Sequence, residues 1–199
     1  MADIVGIDEV GRGCLAGPLL VVAARAKAEL PAGLKDSKLL TRVQRADFYK
    51  ILIEVCEWGE GWVKCSEIDK FGLPKALKLG ARRALENLGA GVSQEIILDG
   101  KFNYLPKKYI NSQVVIGADN LVPLVSAASI IAKVKRDRFM IELAKKHGSY
   151  GFENHVGYGT KAHMLALKKL GTLKYVHRHS FLPVANLSEG AVLRQPSKV

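Results

Sequence analysis

The sequence predicts an α/β domain built on a mixed sheet, with a helical C-terminal part. Three observations predict it. Two apolar runs of strand length come first, joined by a glycine-containing stretch that can turn the chain back as a hairpin. Short apolar runs then alternate with amphipathic segments of helical length, and from about residue 122 the spacing is mainly helical. The 199 residues fit one domain, and 48% apolar with 25% charged residues is a globular rather than a disordered balance. The domain is expected over 1–185, and residues 186–199, which lose periodicity, are expected to form a mobile tail.

The elements follow in order. Residues 3–10 read as a strand and 18–27 as a second, longer one, with 11–17 turning between them. Thr41 and Gln44 form a capping box that opens an amphipathic helix running to about residue 57. A short strand is expected over 61–65, then a helix over 74–88 with a proline in its first turn and Gly89 as its stop. Residues 95–99 and 113–118 are apolar runs of strand length. A long helix spans 122–146, with Lys145 and Lys146 in its last turn and Gly148 beyond it. A final helix runs from an N-cap at Thr160 to Gly171.

Lys and Arg number 30 against 19 Asp and Glu, a net charge of +11. A field of that sign draws polyanions, so nucleic acid is the first partner expected, ahead of an anionic membrane or a phosphorylated metabolite. The three cysteines, Cys14, Cys56 and Cys65, are widely spaced and include no CxxC pair, which argues against a disulfide framework or a zinc ribbon and fits a reducing cytoplasm. The opening MADIVGIDEV carries acids where a signal peptide needs positive charge, and no run of about 18 apolar residues occurs. A soluble cytoplasmic protein is expected.

Four acids stand at the ends of apolar strand runs: Asp8 and Glu9 after IVGI, Asp99 after EIIL, and Asp119 after VVIGA. Taken singly, each also fits a turn or a cap. If the strand ends are neighbours the four converge in the crevice where open α/β sheets bind ligands, and such a cluster needs cations to offset its repulsion. All-oxygen donors without nearby Cys or His select Mg²⁺ or Mn²⁺ over zinc. Asp8 and Glu9 are adjacent, so both reach one site only if the strand breaks its pleat, which Gly11 and Gly13 would permit. Clustered acids on a basic protein suit two-metal phosphodiester hydrolysis. A polymerase uses the same chemistry, but 199 residues leave little room for its accessory domains.

GIDEVGRG at 6–13 with LAGP at 15–18 resembles the opening signature of ribonuclease HII. The resemblance continues through LKDSKLLT at 34–41, LDG at 98–100, GAD at 117–119, SAASIIAKVKRDR at 126–138, YGFENHVGYGT at 150–160 and HRHSF at 177–181, in family order across nearly the whole chain. It implies the ribonuclease H-like fold, a five-stranded mixed sheet flanked by helices with a helical C-terminal extension. The implied activity is endonucleolytic hydrolysis of the RNA strand of RNA–DNA hybrids and incision 5′ of ribonucleotides embedded in duplex DNA, leaving 5′-phosphate and 3′-hydroxyl ends. By resemblance the metal-binding carboxylates are Asp8, Glu9, Asp99 and Asp119, holding two Mg²⁺ or Mn²⁺ ions. The backbone of Gly11, Arg12 and Gly13 grips the junction, Tyr158 stacks on the neighbouring sugar and contacts the 2′-hydroxyl, and Lys35, Ser37 and Lys38 contact phosphates, with Arg42 as a further candidate. The substrate partners are RNA–DNA hybrid and ribonucleotide-containing duplex, and the protein is expected to be a monomer.

Asp137 shares a helix stripe with Ile130, Val134, Ile141 and Ala144, so it points inward, either supporting the metal site or pairing with Lys133 or another base. Ala127, Ala128 and Ser129 are small enough to let that helix lie close to the sheet. The Lys107–Lys108, Lys145–Lys146 and Lys168–Lys169 pairs read as solvated faces, and His177 with His179 lacks a third ligand for zinc. Two residues depart from the family pattern. Cys14 stands where many members have proline, and Val156 where a basic residue commonly precedes GYG. Integrases and resolvases use similar carboxylates but have no need of GRG or a hydroxyl-reading tyrosine. A basic RNA-binding protein would explain the charge and leave the four acids without purpose.

Overall fold

The first two apolar runs pair with one another, as their patterning requires. In a computed structural model of the chain, which describes residues 4–192 and side chains as far as Leu187, β1 (Ile4–Val10) and β2 (Leu19–Ala26) are antiparallel, with Gly6 opposite Ala24 and Val10 opposite Leu20. β3 (Cys56–Val63) pairs antiparallel with β2, while β4 (Glu95–Asp99) and β5 (Ser112–Val115) add in parallel on the other side of β1. The result is a five-stranded mixed sheet in the order β3-β2-β1-β4-β5.

Helices cover both faces. On one, α3 (Leu73–Leu88) covers β3 and β2 and shares a core with Val5, Ile7, Leu19, Val21 and Leu98. On the other, α1 (Arg42–Val55) and α5 (Pro123–Lys146) pack against Leu20, Val22 and Ala24. The Thr41–Gln44 capping box is formed in both directions. Two glycines set how closely helices approach the sheet. A Cβ at Gly61 would lie 1.8 Å from the Gly80 carbonyl oxygen of α3, and one at Gly6 would lie 2.6 Å from the Leu124 backbone of α5. Ala127, Ala128 and Ser129 continue that close contact and are buried, as their size predicts.

Several boundaries differ from expectation. β3 starts at Cys56, well before residue 61, because α1 ends at Val55 and passes directly into the strand. Trp58 and Trp62 alternate with Gly59 and Gly61, and glycine on the α3 face hides the period of two. Glu60, between the indoles, is held by both Nε1–H groups at 3.0 and 2.8 Å. α2 (Cys65–Phe71) was not anticipated. β5 ends at Val115 because Gly117 adopts φ 73°, and the short α4 (Ala118–Leu121) follows at once.

The C-terminal part comprises α6 (Phe152–His155), α7 (Lys161–Leu170) and α8 (Leu182–Val192). Its apolar residues Phe152, Leu167 and Val184 pack with Leu15 and Ala16 from the turn between β1 and β2, which ties this part to the sheet. α8 continues past Asn186, where periodicity is lost in the sequence, and the remainder of the expected tail lies outside the described residues. Among the described residues no helix is long and apolar enough to cross a membrane.

Candidate active site

Pairing between β1 and β4 stops at Ile7 and Leu98, so Asp8 and Asp99 each stand one residue beyond the last shared rung. The expected break in the β1 pleat does not occur. Its ladder with β2 continues through Glu9–Val21 and Val10–Leu20, which turns Asp8 and Glu9 to opposite faces. Both still border one cleft of about 450 Å³, because the cleft wraps around the end of the strand. Gly11, Arg12, Gly13, Ser37, Lys38, Asp99, Ser129, Lys133 and Tyr158 also line it. Asp119, buried at the start of α4, lies outside the lining and meets it through Lys38, whose Nζ is 3.5 Å from Asp119 Oδ2. Lys35 and Arg42 are exposed and lie outside the lining.

The electrostatics are those of crowded acids. Burial, then the Glu9 and Asp99 charges, push the Asp8 carboxyl up to about 8, against a lowering hydrogen bond from Ser129. Burial and the Asp99 and Asp36 charges likewise raise Asp119. Lys38 loses some of its charge preference to burial, but the carboxylates of Asp36, Asp8 and Asp119 outweigh that and raise its pKa. Glu9 is held by the Arg12 guanidinium at 2.9 Å and by the buried Tyr104 hydroxyl, which donates to Oε2. Asp99 Oδ1 accepts the Ala118 N–H at 2.9 Å, fastening the end of β4 to α4.

Among the described residues no three acidic, imidazole or thiol side chains are close enough to enclose an ion as they stand. The donor chemistry fits a hard divalent cation nonetheless. Asp8, Glu9, Asp99 and Asp119 offer only carboxylate oxygen, and a cation would offset both the burial of the Asp8 carboxylate and, after it, the Glu9 and Asp99 charges beside it.

The loops around the acids are clamped by two arginines that the sequence reading left without a role. Arg136 is fully buried and donates to the carbonyls of Pro18 (2.8 Å), Val156 (2.9 Å) and Ala16 (3.1 Å). Arg178, equally buried, donates to Gly17 from Nε and Nη2 and to the Arg12 carbonyl at 2.9 Å. Gly11, at φ 91°, passes so close that a Cβ would lie 2.3 Å from Arg136 Nε. The spacing Ala132, Arg136, Met140, Ala144, all buried, is the signal that would have exposed Arg136 as an inward side chain.

The KDSK loop is fixed from several sides. Asp36 accepts the Lys38 N–H at 2.9 Å and its own N–H reaches Asn120, while Ser37 Oγ accepts from Ser129 Oγ at 2.9 Å. Arg45 from α1 donates to the Ser37 carbonyl at 2.8 Å. Asp36, Arg45 and Tyr104 are thus supporting residues that sequence reasoning missed. Asp137 takes the second of its two expected roles, pairing with Lys133 at 2.8 Å, and Lys133 Nζ lies 5.9 Å from the centre of the Tyr158 ring. Cys14 is buried with its Sγ toward the Val156 carbonyl. Val156 adopts the left-handed conformation at φ 43°. His177 is buried against His163 rather than sharing a site with His179.

The ribonuclease HII family model matches residues 5–184. The chain belongs to the ribonuclease HII family. A ribonuclease HII from Polynucleobacter asymbioticus is 41% identical over 96% of this chain and 98% of its own length. Among solved structures, ribonuclease H2 from Pyrococcus horikoshii matches with a TM-score of 0.74 at 26% identity, covering 94% of this chain and 98% of that one. Bst ribonuclease HIII in complex with Mn²⁺ shares the fold at a TM-score of 0.68 and 18% identity, over 97% of this chain and 71% of that one. Ribonucleases HII are endonucleases that cleave RNA in RNA–DNA hybrids.

Proposed function

We propose that this ribonuclease HII cuts the RNA strand of hybrids and incises on the 5′ side of single ribonucleotides in duplex DNA, leaving 5′-phosphate and 3′-hydroxyl ends. It acts as a cytoplasmic monomer with one catalytic domain, and its three buried, unpaired cysteines fit that compartment. The observation that carries the reading is one cleft bordered at once by strand-end carboxylates, the GRG turn and Tyr158.

Asp8, Glu9, Asp99 and Asp119 would hold two divalent cations, Mg²⁺ or Mn²⁺. When bound, the pair supplies a water of lowered pKa and stabilises the departing 3′-oxygen. The chain's own groups do the rest. Tyr104 and Arg12 fix the Glu9 carboxylate, and the Ala118 N–H fixes Asp99. Ser37 and Lys38 face the cleft to contact phosphate, and exposed Lys35 meets the backbone farther out. The bond broken lies 5′ of the ribonucleotide, so its 2′-hydroxyl is a recognition mark rather than the nucleophile. Tyr158 reads that mark. The residue is 39% exposed, and its backbone is anchored by the Tyr158 N–H to the His155 carbonyl at 2.9 Å.

The test is incubation with duplex DNA bearing one ribonucleotide, beside an all-DNA duplex. Metal-dependent incision at the ribonucleotide alone is expected. No incision there, or equal cutting of the all-DNA duplex, would contradict the reading.

A further inference from the structure

Behind Tyr158 lies a group of three imidazoles whose chemistry the catalytic reading does not use. His155, His163 and His177 are buried on α6, on α7 and in the loop before α8. His155 and His163 stack with ring centres 4.4 Å apart, and His163 Nε2 meets His177 Nε2 at 3.2 Å. Aromatic rings close the sides. Phe152 stands edge-on to His155 and His163, and Tyr150 lies tilted against His177.

Backbone donors fix where every proton sits. The Leu173 N–H donates to His177 Nδ1 at 2.8 Å, so that nitrogen carries no hydrogen and the hydrogen of neutral His177 is on Nε2. It is donated to His163 Nε2. His163 therefore bears its hydrogen on Nδ1, which donates to the Tyr158 carbonyl at 2.9 Å. By the same logic the Gly157 N–H donates to His155 Nδ1 at 3.2 Å, and His155 Nε2–H donates to the Tyr150 carbonyl at 2.8 Å. All six ring nitrogens are engaged, so no lone pair is left for a metal. Two of the bonds close on adjacent residues, the N–H of Gly157 and the carbonyl of Tyr158. On the other side the Gly157 carbonyl accepts the Leu15 and Ala16 N–H groups at 2.8 and 3.2 Å.

We propose that His163 and His177, with His155 beside them, are positioning residues for Tyr158, working as a relay of neutral imidazoles that fixes the tyrosine's backbone. The inference rests on the reading of Tyr158 given above. It assigns to three motif histidines a role in substrate discrimination exerted from outside the cleft, and it makes the His163 Nδ1–H the deciding atom.

A double-mutant cycle on metal-dependent incision of the single-ribonucleotide duplex tests it. His163→Ala is expected to lower kcat/KM by about tenfold to a hundredfold, the scale of a small misplacement of a reacting contact. In a Tyr158→Ala background the same change should have no further effect. His163→Asn, whose amide nitrogen can stand where Nδ1–H stood, should recover most of the activity. His163→Gln, whose amide reaches the Nε2 position instead, should not, and this pair keeps the test open if the alanine variant fails to fold. Losses that multiply in the double variant, or Asn and Gln variants that behave alike, would overturn the inference while leaving Tyr158 as the reader. A Tyr158→Ala enzyme that incises like the unaltered one would overturn that reading and the inference with it.

Discussion

Val156 is the residue at which chemistry and conformation conflict most openly. It sits at φ 43°, ψ 36°, a region that β-branched side chains enter only at a cost of about 1–2 kcal/mol. What holds it there is visible: its carbonyl accepts Arg136 Nη1 and its neighbour Gly157 is tied to Leu15 and Ala16. Val156→Asn, a residue that tolerates this conformation, is expected to raise stability by about 1 kcal/mol, or about 2–4 °C in Tm. Thermal melting checks it, and a fall in Tm would mean that the lost packing of the isopropyl group outweighs the strain. At this scale the sequence was informative about charge at strand ends and poor about burial. Asp8, Glu9, Asp99 and Asp119 were legible because a carboxylate after an apolar run is conspicuous. Arg136 and Arg178 were not, because arginine within a basic chain looks like surface until its helix neighbours show that it points inward. Tyr104 left no signal at all, since nothing in its loop sequence announces a hydroxyl aimed at Glu9.

At the scale of elements, patterning located the strands and long helices, and glycine blurred it. β3 escaped in its first half because Gly59 and Gly61 take the place of apolar residues on the face that α3 covers. Two adjacent carboxylates share one side of a strand only where its pleat breaks, so a break is expected after Asp8. The strand instead stays regular, and the cleft bends around it. The C-terminal elements carry the imidazole stack, and that stack predicts a pH dependence. Burial, then the neighbouring His163, push His177 down to about 4, against about 6.5 in an unfolded chain. The unfolded state therefore binds more protons between those values, and the contribution is fully present above about pH 6.5 and lost as pH falls toward 4. It amounts to about 3 kcal/mol at most. Denaturant titrations from pH 7 to 4 should show the enzyme's advantage over His177→Asn shrinking with acid, because asparagine keeps an acceptor for the Leu173 N–H and has no proton to gain. An advantage that is constant across that range would mean that the imidazole is not held neutral.

Across the whole molecule, the net charge of +11 and the acidic cleft describe two different tasks. Basic side chains spread over the surface attract a polyanion and set the salt dependence of binding, whereas Asp8, Glu9 and Asp99 border one cleft where the pairing of β1 with β4 ends. Composition reported the first task and concealed the second, which only the order of strands brings together. Binding and cutting should therefore be separable. Asp99→Asn tests it most directly, since asparagine keeps an oxygen to accept the Ala118 N–H and so preserves the join between β4 and α4. Hybrid binding and metal-dependent cleavage would be measured on the same preparation. Binding close to that of the unaltered enzyme with cleavage abolished is expected, and an Asp99→Asn variant that cuts the hybrid at the normal rate would mean that Asp99 has no part in cleavage.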